Sequence, residues 1–253
     1  MESHCQNIIH SLSYLSALLH TRLALFFGKE QEVSFTCPQL SFSDDSDFYK
    51  LITGKDLLPE EKSILIIAVA PHLQPNLFDN IIQQYLPNGG EFAEIGGVKG
   101  TNHRNMLPTG ETVLFILAGN DLHKRFEIQQ LLLGDSILVK ENILFVEAVK
   151  EGEPIMSGRL IISEEWLNKI VFGKDVSPKF SPDFPAKKLS TGMTWDDLVL
   201  NNYTFSQITD IQIWLQHNTT IMQDAVLQNK IKPGYRVLFY GSSGTGKTIT
   251  ATL

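Results

Sequence analysis

A chain of 253 residues with 43% hydrophobic and 19% charged side chains is long enough for one or two domains with real cores, and its composition excludes a collagen-like or disordered polymer. The formal net charge of −7 argues against non-specific binding to nucleic acid or to a membrane surface by the chain as a whole. Cys5 and Cys37 stand far apart, in no zinc or C-x-x-C spacing, which leaves free thiols in a reducing cytosol.

The first thirty residues carry Ile8, Ile9, Leu12, Leu15, Leu18, Leu19, Leu23, Phe26 and Phe27 at the spacing of a packed amphipathic helix, closed by Gly28 and Lys29. Glu2 in place of a positive leader, and His10, His20 and Arg22 within the run, speak against a signal peptide. No run reaches the roughly 18 apolar residues of a spanning helix, so a cytoplasmic protein with no membrane partner is expected. Gln31 to Asp47 reads as a loop, followed by a short helix through Phe48, Tyr49, Leu51 and Ile52 that Gly54 stops. Leu58-Pro59-Glu60-Glu61 marks a helix start, with proline in the first turn and acids complementing the dipole, so Ile64 to Ala70 is expected as a buried helix stopping at Pro71. Pro75 to Leu86 reads as the next helix, with Leu77, Phe78, Ile81, Ile82 and Tyr85 on one side, ended by Pro87-Asn88-Gly89-Gly90.

Ile95 to Gly110 is expected to be irregular, its glycines leaving the backbone loose around Lys99, His103 and Arg104. Thr109-Gly110-Glu111 opens a helix through Leu117, and Asn120 is expected to cap a further helix through Leu122, Phe126 and Leu131, closed by Gly134. Ile143–Val146 and Arg159–Ile162 form two β-like runs around Lys150–Pro154, a hairpin with an irregular tip, and Ser163-Glu164-Glu165-Trp166 starts a short helix to Phe172. Gly173 to Thr194, with Pro178, Pro182 and Pro185, reads as a linker. Beyond it, Trp195-Asp196-Asp197-Leu198 precedes a helix through Phe205, Ile208, Ile211 and Leu215. A second amphipathic stretch, Ile221 to Gln228, then leads by Lys232-Pro233-Gly234 into a strand, Val237–Tyr240.

That strand feeds Gly241-Ser242-Ser243-Gly244-Thr245-Gly246-Lys247-Thr248, which fits the phosphate-binding pattern G-x-x-x-x-G-K-[ST] between a strand and a helix start. A phosphate chain must be wrapped by backbone N–H groups, and glycines let the backbone turn and approach that closely. In this reading Lys247 reaches the β- and γ-phosphates of ATP as the catalytic cation, and the Thr248 hydroxyl is the Mg2+ ligand. The alternative is a glycine-rich turn matching by accident. Only six residues follow Lys247, too few for a second acidic motif, a sensor or an arginine finger, so the chain alone is expected to be inactive.

Three helices followed by a β-hairpin is the order of a winged helix, and Leu58–Leu73 with Ala70-Pro71-His72, together with Glu94–Gly97 and Leu107–Glu111, resembles the winged-helix domain ahead of a group of bacterial AAA-type ATP-binding proteins. The likeness spans nearly the whole chain, with its specificity concentrated in the P-loop, where Gly241-Ser242-Ser243 departs from the Gly-Pro-Pro of many AAA modules. It implies an α+β chain, mostly helical in its N-terminal part: a helical segment at 1–57, a winged-helix domain at 58–173, a linker at 174–194, and the truncated opening of an α/β ATPase module at 195–253. It further implies that Asp197 and Leu198 lie at the adenine, although a helix-entry loop explains them equally, and that the complete protein works as a homo-oligomeric ring whose neighbouring subunit supplies an arginine.

Winged helices are often DNA readers, but the third helix, Thr109–Ala118, carries no Lys or Arg, and His123, Lys124 and Arg125 read as a solvated face, so DNA is disfavoured as a partner. A non-enzymatic binding module with a vestigial P-loop is the alternative function; a P-loop kinase or GTPase fits less well, since its loop sits near the start of the domain. The seven histidines have no metal-ligand spacing, and the acids Asp44-Asp45, Glu60-Glu61 and Glu164-Glu165 read as helix-start charge.

Overall fold

The structure is a computed structural model and describes residues 2–28, 55, 57–86, 88–90, 92–173, 189, 191–224, 230 and 234–253. It divides into two compact units, Met1–Pro178 and Lys179–Leu253. The described residues are mostly helical, with a few short strands, all in the first unit.

Helix α1 (Glu2–Phe26) buries Leu15, Leu18, Leu19 and Leu23 on one stripe and ends in a turn at Gly28, whose φ of +64° suits glycine. Lys29, the expected loop at 31–47 and the short helix around 48–52 lie outside the described residues. Helix α2 (Pro59–Leu73) buries every residue from Ile64 to Pro71. The expected stop at Pro71 is overturned: the helix runs on to Leu73, and Gln74 N–H closes on Ala70 O at 2.8 Å. A proline in the last turn forfeits one backbone bond without cutting the rest of the ladder. Helix α3 (Leu77–Tyr85) buries Leu77, Phe78 and Ile81.

The stretch expected to be irregular is organised by a ribbon of β1 (Val98–Lys99) and β2 (Met106–Leu107), antiparallel with Val98 opposite Leu107. Gly96 and Gly97 lead into β1 at φ +68° and +90°, and Met106 N–H donates to Asp79 Oδ2 at 2.9 Å. Thr109 then caps α4 (Gly110–Leu117), its hydroxyl accepting from the amides of Thr112 and Gly97. Apart from Glu111, the whole of α4 is buried. It meets α1 and α2 in the core of the first unit, so the N-terminal helix and the residues from Leu58 onward share one hydrophobic interior.

Helix α5 (Leu122–Gln130) is capped by Asp121 rather than by Asn120, because Asp121 Oδ1 accepts from both the His123 and Lys124 amides. It passes into a wide turn, Leu131–Asp135, where Ser136 N–H reaches Leu131 O and Gly134 leaves helical geometry at φ +150°; Ser136 then caps α6 (Ile137–Lys140). The helix directly before the next ribbon is therefore α5 with its continuation α6, not Gly110–Leu117, and the three basic residues His123, Lys124 and Arg125 stand on it. That ribbon, β3 (Leu144–Val146) with β4 (Leu160–Ile162), is the expected hairpin, with Leu144 opposite Ile162. Leu160 N–H donates to Pro108 O at 2.9 Å and Gly110 N–H to Gly158 O at 3.1 Å, joining the ribbon to the entrance of α4. Helix α7 (Glu164–Phe172) starts on the Ser163 cap and stops at Gly173.

In the second unit, a turn at Trp195–Asp197 precedes α8 (Asn202–Gln223), capped by Asn201. The separate helix expected from Ile221 is not seen: residues 221–223 finish α8, and 225–228 lie outside the described residues. The strand expected at Val237–Tyr240 is also absent, because a strand exists only through its ladder and no neighbour pairs with this run among the described residues. Its side chains are exposed, Leu238 to 83% and Tyr240 to 87%. A last helix, α9 (Lys247–Thr252), follows the glycine-rich loop.

Candidate functional site

The loop Gly241–Gly246 is shaped by its glycines, since Gly241, Gly244 and Gly246 take φ of +144°, +77° and +80°. These values are strained for a residue bearing a Cβ and bend the chain into a tight curve ahead of α9. Gly246 also has no room for a side chain, because an added Cβ would lie 2.7 Å from Leu198 Cδ1. Leu198 is thus brought against the loop. The recorded contacts of Asp197 are elsewhere: its carboxylate accepts from the Thr194 amide at 2.7 Å and the Thr194 hydroxyl at 3.0 Å. The Thr194 backbone bond holds the Asp197 carboxyl below the usual carboxylate range, with the hydroxyl adding to it. Asp197 is therefore the capping-box partner of Thr194, which caps the turn.

Lys247 is the only charged side chain from Gly241 to Leu253. Its stem folds back over the loop, and Nζ donates to Ser242 O at 2.6 Å and Gly241 O at 3.1 Å, with Thr245 Oγ1 at 3.4 Å. The Thr245 hydroxyl itself donates to Ser242 O at 2.9 Å. One carbonyl oxygen thereby holds both a hydroxyl and an ammonium. Among the described residues, the main-chain N–H groups from Ser243 to Ile249 have no recorded acceptor, whereas Thr250 N–H and its hydroxyl both close on Gly246 O. Ser242, Ser243 and Thr248 are exposed.

This donor set fits a polyphosphate. An ammonium held by neutral carbonyls can exchange onto anionic oxygens, where the attraction of opposite charges adds to the hydrogen bond. Amides on a curve of alternating backbone sign are the donors such an anion takes. The Thr248 hydroxyl would be one ligand of a magnesium ion otherwise held by phosphate oxygens and water. No group of three or more His, Cys, Asp or Glu that could hold a metal occurs among the described residues.

The sequence reading treats Thr245 as one loop residue among several; the structure sets it apart, since its hydroxyl joins the carbonyl that also holds Lys247. The signal was present as a hydroxyl two positions before the lysine, but the spacing alone does not say which way it turns.

In the first unit, a concavity of about 450 Å3 is lined by Arg22, Glu60, Asp121 and Lys124 among others. Its charges answer one another. Lys124 Nζ donates to Glu60 Oε1 at 2.7 Å and to Glu127 at 3.1 Å, while Arg22 Nε donates to Ile116 O at 3.0 Å. The hydrogen bond to Glu60 raises the Lys124 pKa, and burial lowers that of Arg22. Arg125 Nη2 donates to both Glu111 oxygens at 2.6 and 2.7 Å, and Arg159 grips Glu147 with a fork, Nε to Oε2 at 2.6 Å and Nη2 to Oε1 at 2.7 Å.

No protein-family model, no curated protein and no solved structure matches the chain.

Proposed function

We propose that this is an ATP-binding protein of the AAA type, in which residues 195–253 form the phosphate-binding opening of the module and the first unit is a winged-helix domain. The observation that carries the reading is the loop Gly241–Thr248. Its sequence has the spacing of a phosphate-binding loop, its glycines take positive φ, and its one cation is held on the Gly241 and Ser242 carbonyls of a curve whose amides have no protein acceptor among the described residues. In this reading the amides of Ser243 to Thr248 hold the phosphate chain, Lys247 neutralises its β- and γ-oxygens, Thr248 meets Mg2+, and Leu198 lies on the nucleotide side of Gly246. Bound Mg·ATP supplies the phosphoryl group; what this chain supplies is position and positive charge. Hydrolysis also needs an acidic residue to orient the attacking water. Among the described residues no carboxylate contacts the loop; in this reading hydrolysis takes place in a homo-oligomeric ring.

The winged-helix part of the proposal is supported by the order helix, strand segment at Thr109, α4, α5 with α6, β3 and β4, with Thr109 bridged to Arg159 beside β4. Its partner is read as protein rather than DNA. Lys124, Arg125 and Arg159, which a groove-reading surface would present to phosphates, are each engaged by a glutamate. The test is an amide-shift titration of the chain with Mg·ATP. Shifts confined to the loop and weakened tenfold or more in Lys247→Ala are expected, because charged hydrogen bonds are worth about 1.5–3 kcal/mol. Equal behaviour of parent and variant refutes the reading.

A further inference from the structure

We infer that Thr245 is a positioning residue of this loop, which acts on the phosphate through Ser242 and Lys247 rather than by touching it; the inference rests on the ATP-binding reading above. The geometry is specific. The Thr245 hydroxyl donates to Ser242 O at 2.9 Å, and no amide closes the turn from residue 242 to 245 among the described residues, so the side chain takes the place of the missing backbone bond. The closure has two consequences. It leaves the Thr245 N–H outside the turn, among the amides that have no acceptor. It also places the two carbonyls that hold the ammonium, those of Gly241 and Ser242, on one side of the curve with Thr245 Oγ1 beside them.

Ser242 O accepts from two donors at once, and a carbonyl oxygen has two lone pairs. When the Lys247 ammonium moves to a phosphate oxygen, the Thr245 bond is what remains to satisfy that carbonyl and keep the turn. Without the hydroxyl the curve is free to open as the ammonium leaves, and the amides lose their common direction. A threonine methyl contributes none of this, so serine is a sufficient substitute and valine, of the same shape, is not.

The experiment titrates the full chain with Mg·ATP and follows the amide signals of Ser243 to Thr248 in the parent, Thr245→Val, Thr245→Ser and Lys247→Ala. About a fivefold loss of affinity is expected for Thr245→Val, the worth of one neutral hydrogen bond, with affinity restored in Thr245→Ser. Far-UV circular dichroism and the thermal midpoint should be the same for all four proteins, since the loop is exposed. Parent affinity in Thr245→Val, with binding lost in Lys247→Ala, overturns the role of Thr245 and leaves the nucleotide reading standing. Failure of Thr245→Ser to restore affinity also overturns it. No saturable shift in the parent, or an unchanged one in Lys247→Ala, overturns both.

Discussion

Replacing Glu61 should cost the first unit more stability than any other single carboxylate change outside the core. Its side chain is buried, with 2% exposure, and both oxygens are used: Oε2 accepts from Leu58 N–H at 2.8 Å and Oε1 from Ile137 N–H at 2.9 Å. One carboxylate thus ties the start of α2 to the start of α6, 76 positions along the chain. A hydrogen bond to a charged group is worth about 1.5–3 kcal/mol, and a buried amide left without an acceptor costs about 1–3 kcal/mol. Glu61→Ala is therefore expected to lose about 3–5 kcal/mol. Glu61→Gln keeps one acceptor but turns an NH2 group toward the second amide, and should lose about half as much. For a unit of this size that corresponds to a fall of roughly 10 °C in the Ala variant. The assay is urea unfolding followed by Trp166 fluorescence in a chain carrying Trp195→Phe and Trp214→Phe, so that the signal comes from the first unit alone. A loss below 1 kcal/mol in Glu61→Ala, or a Gln variant as stable as the parent, would show that solvent replaces the carboxylate and that the bridge is not structural.

Gly96→Ala should destabilise by about 1–3 kcal/mol, because the residue sits at φ +68° and the new Cβ would lie 2.8 Å from Glu111 Cβ and Thr109 Oγ1; Gly89→Ala, at φ +69° in open space, should lose less, and equal thermal midpoints for the two would refute the packing argument. The Glu60 carboxyl is held below its ordinary value: burial, the largest single influence, pushes it up, but the Lys124 hydrogen bond, a bond from its own backbone amide and the Lys124 charge together prevail. A depressed folded value means stability that is present above the unfolded pKa and lost as pH falls through the folded one. The urea midpoint should thus fall between about pH 5 and pH 3 more steeply in the parent than in Lys124→Met. ATP incubated with the chain should release no phosphate above background, and release that disappears in Lys247→Ala would show that the unpaired Val237–Tyr240 run is no bar to turnover.

What the sequence reveals and what it conceals divides by distance along the chain. Thr109, Ser163 and Pro59 act on amides or turns within three or four residues, and their helices start where the local signals put them. Asn120 and Asp121 are both good caps, and only the position of the first helical turn chooses between them. The ribbon at Val98–Leu107 hid behind its glycines, since nothing local shows that Gly96 lies against Thr109 and Glu111 thirteen and fifteen positions on. Glu61 reads as helix-start charge and is that, but its second oxygen serves Ile137, which no local pattern contains. At the loop, Lys247 and the glycines follow from spacing alone. Leu198, placed beside Gly246, lies 48 positions away in sequence and has no local signal, while the bond from Thr245 to Ser242 depends on a rotamer. Val237–Tyr240 is legibly apolar; whether it forms a strand depends on neighbours that the run itself does not specify.

The exposure of Val237–Tyr240 also bears on how the protein behaves at high concentration. Four exposed apolar residues, with no proline or charge among them, offer a sticky surface to another copy of the chain. Arg236 is the charged gatekeeper adjacent to the run. Light scattering that rises with concentration and falls when Leu238 is changed to lysine would mark this run as the sticky edge.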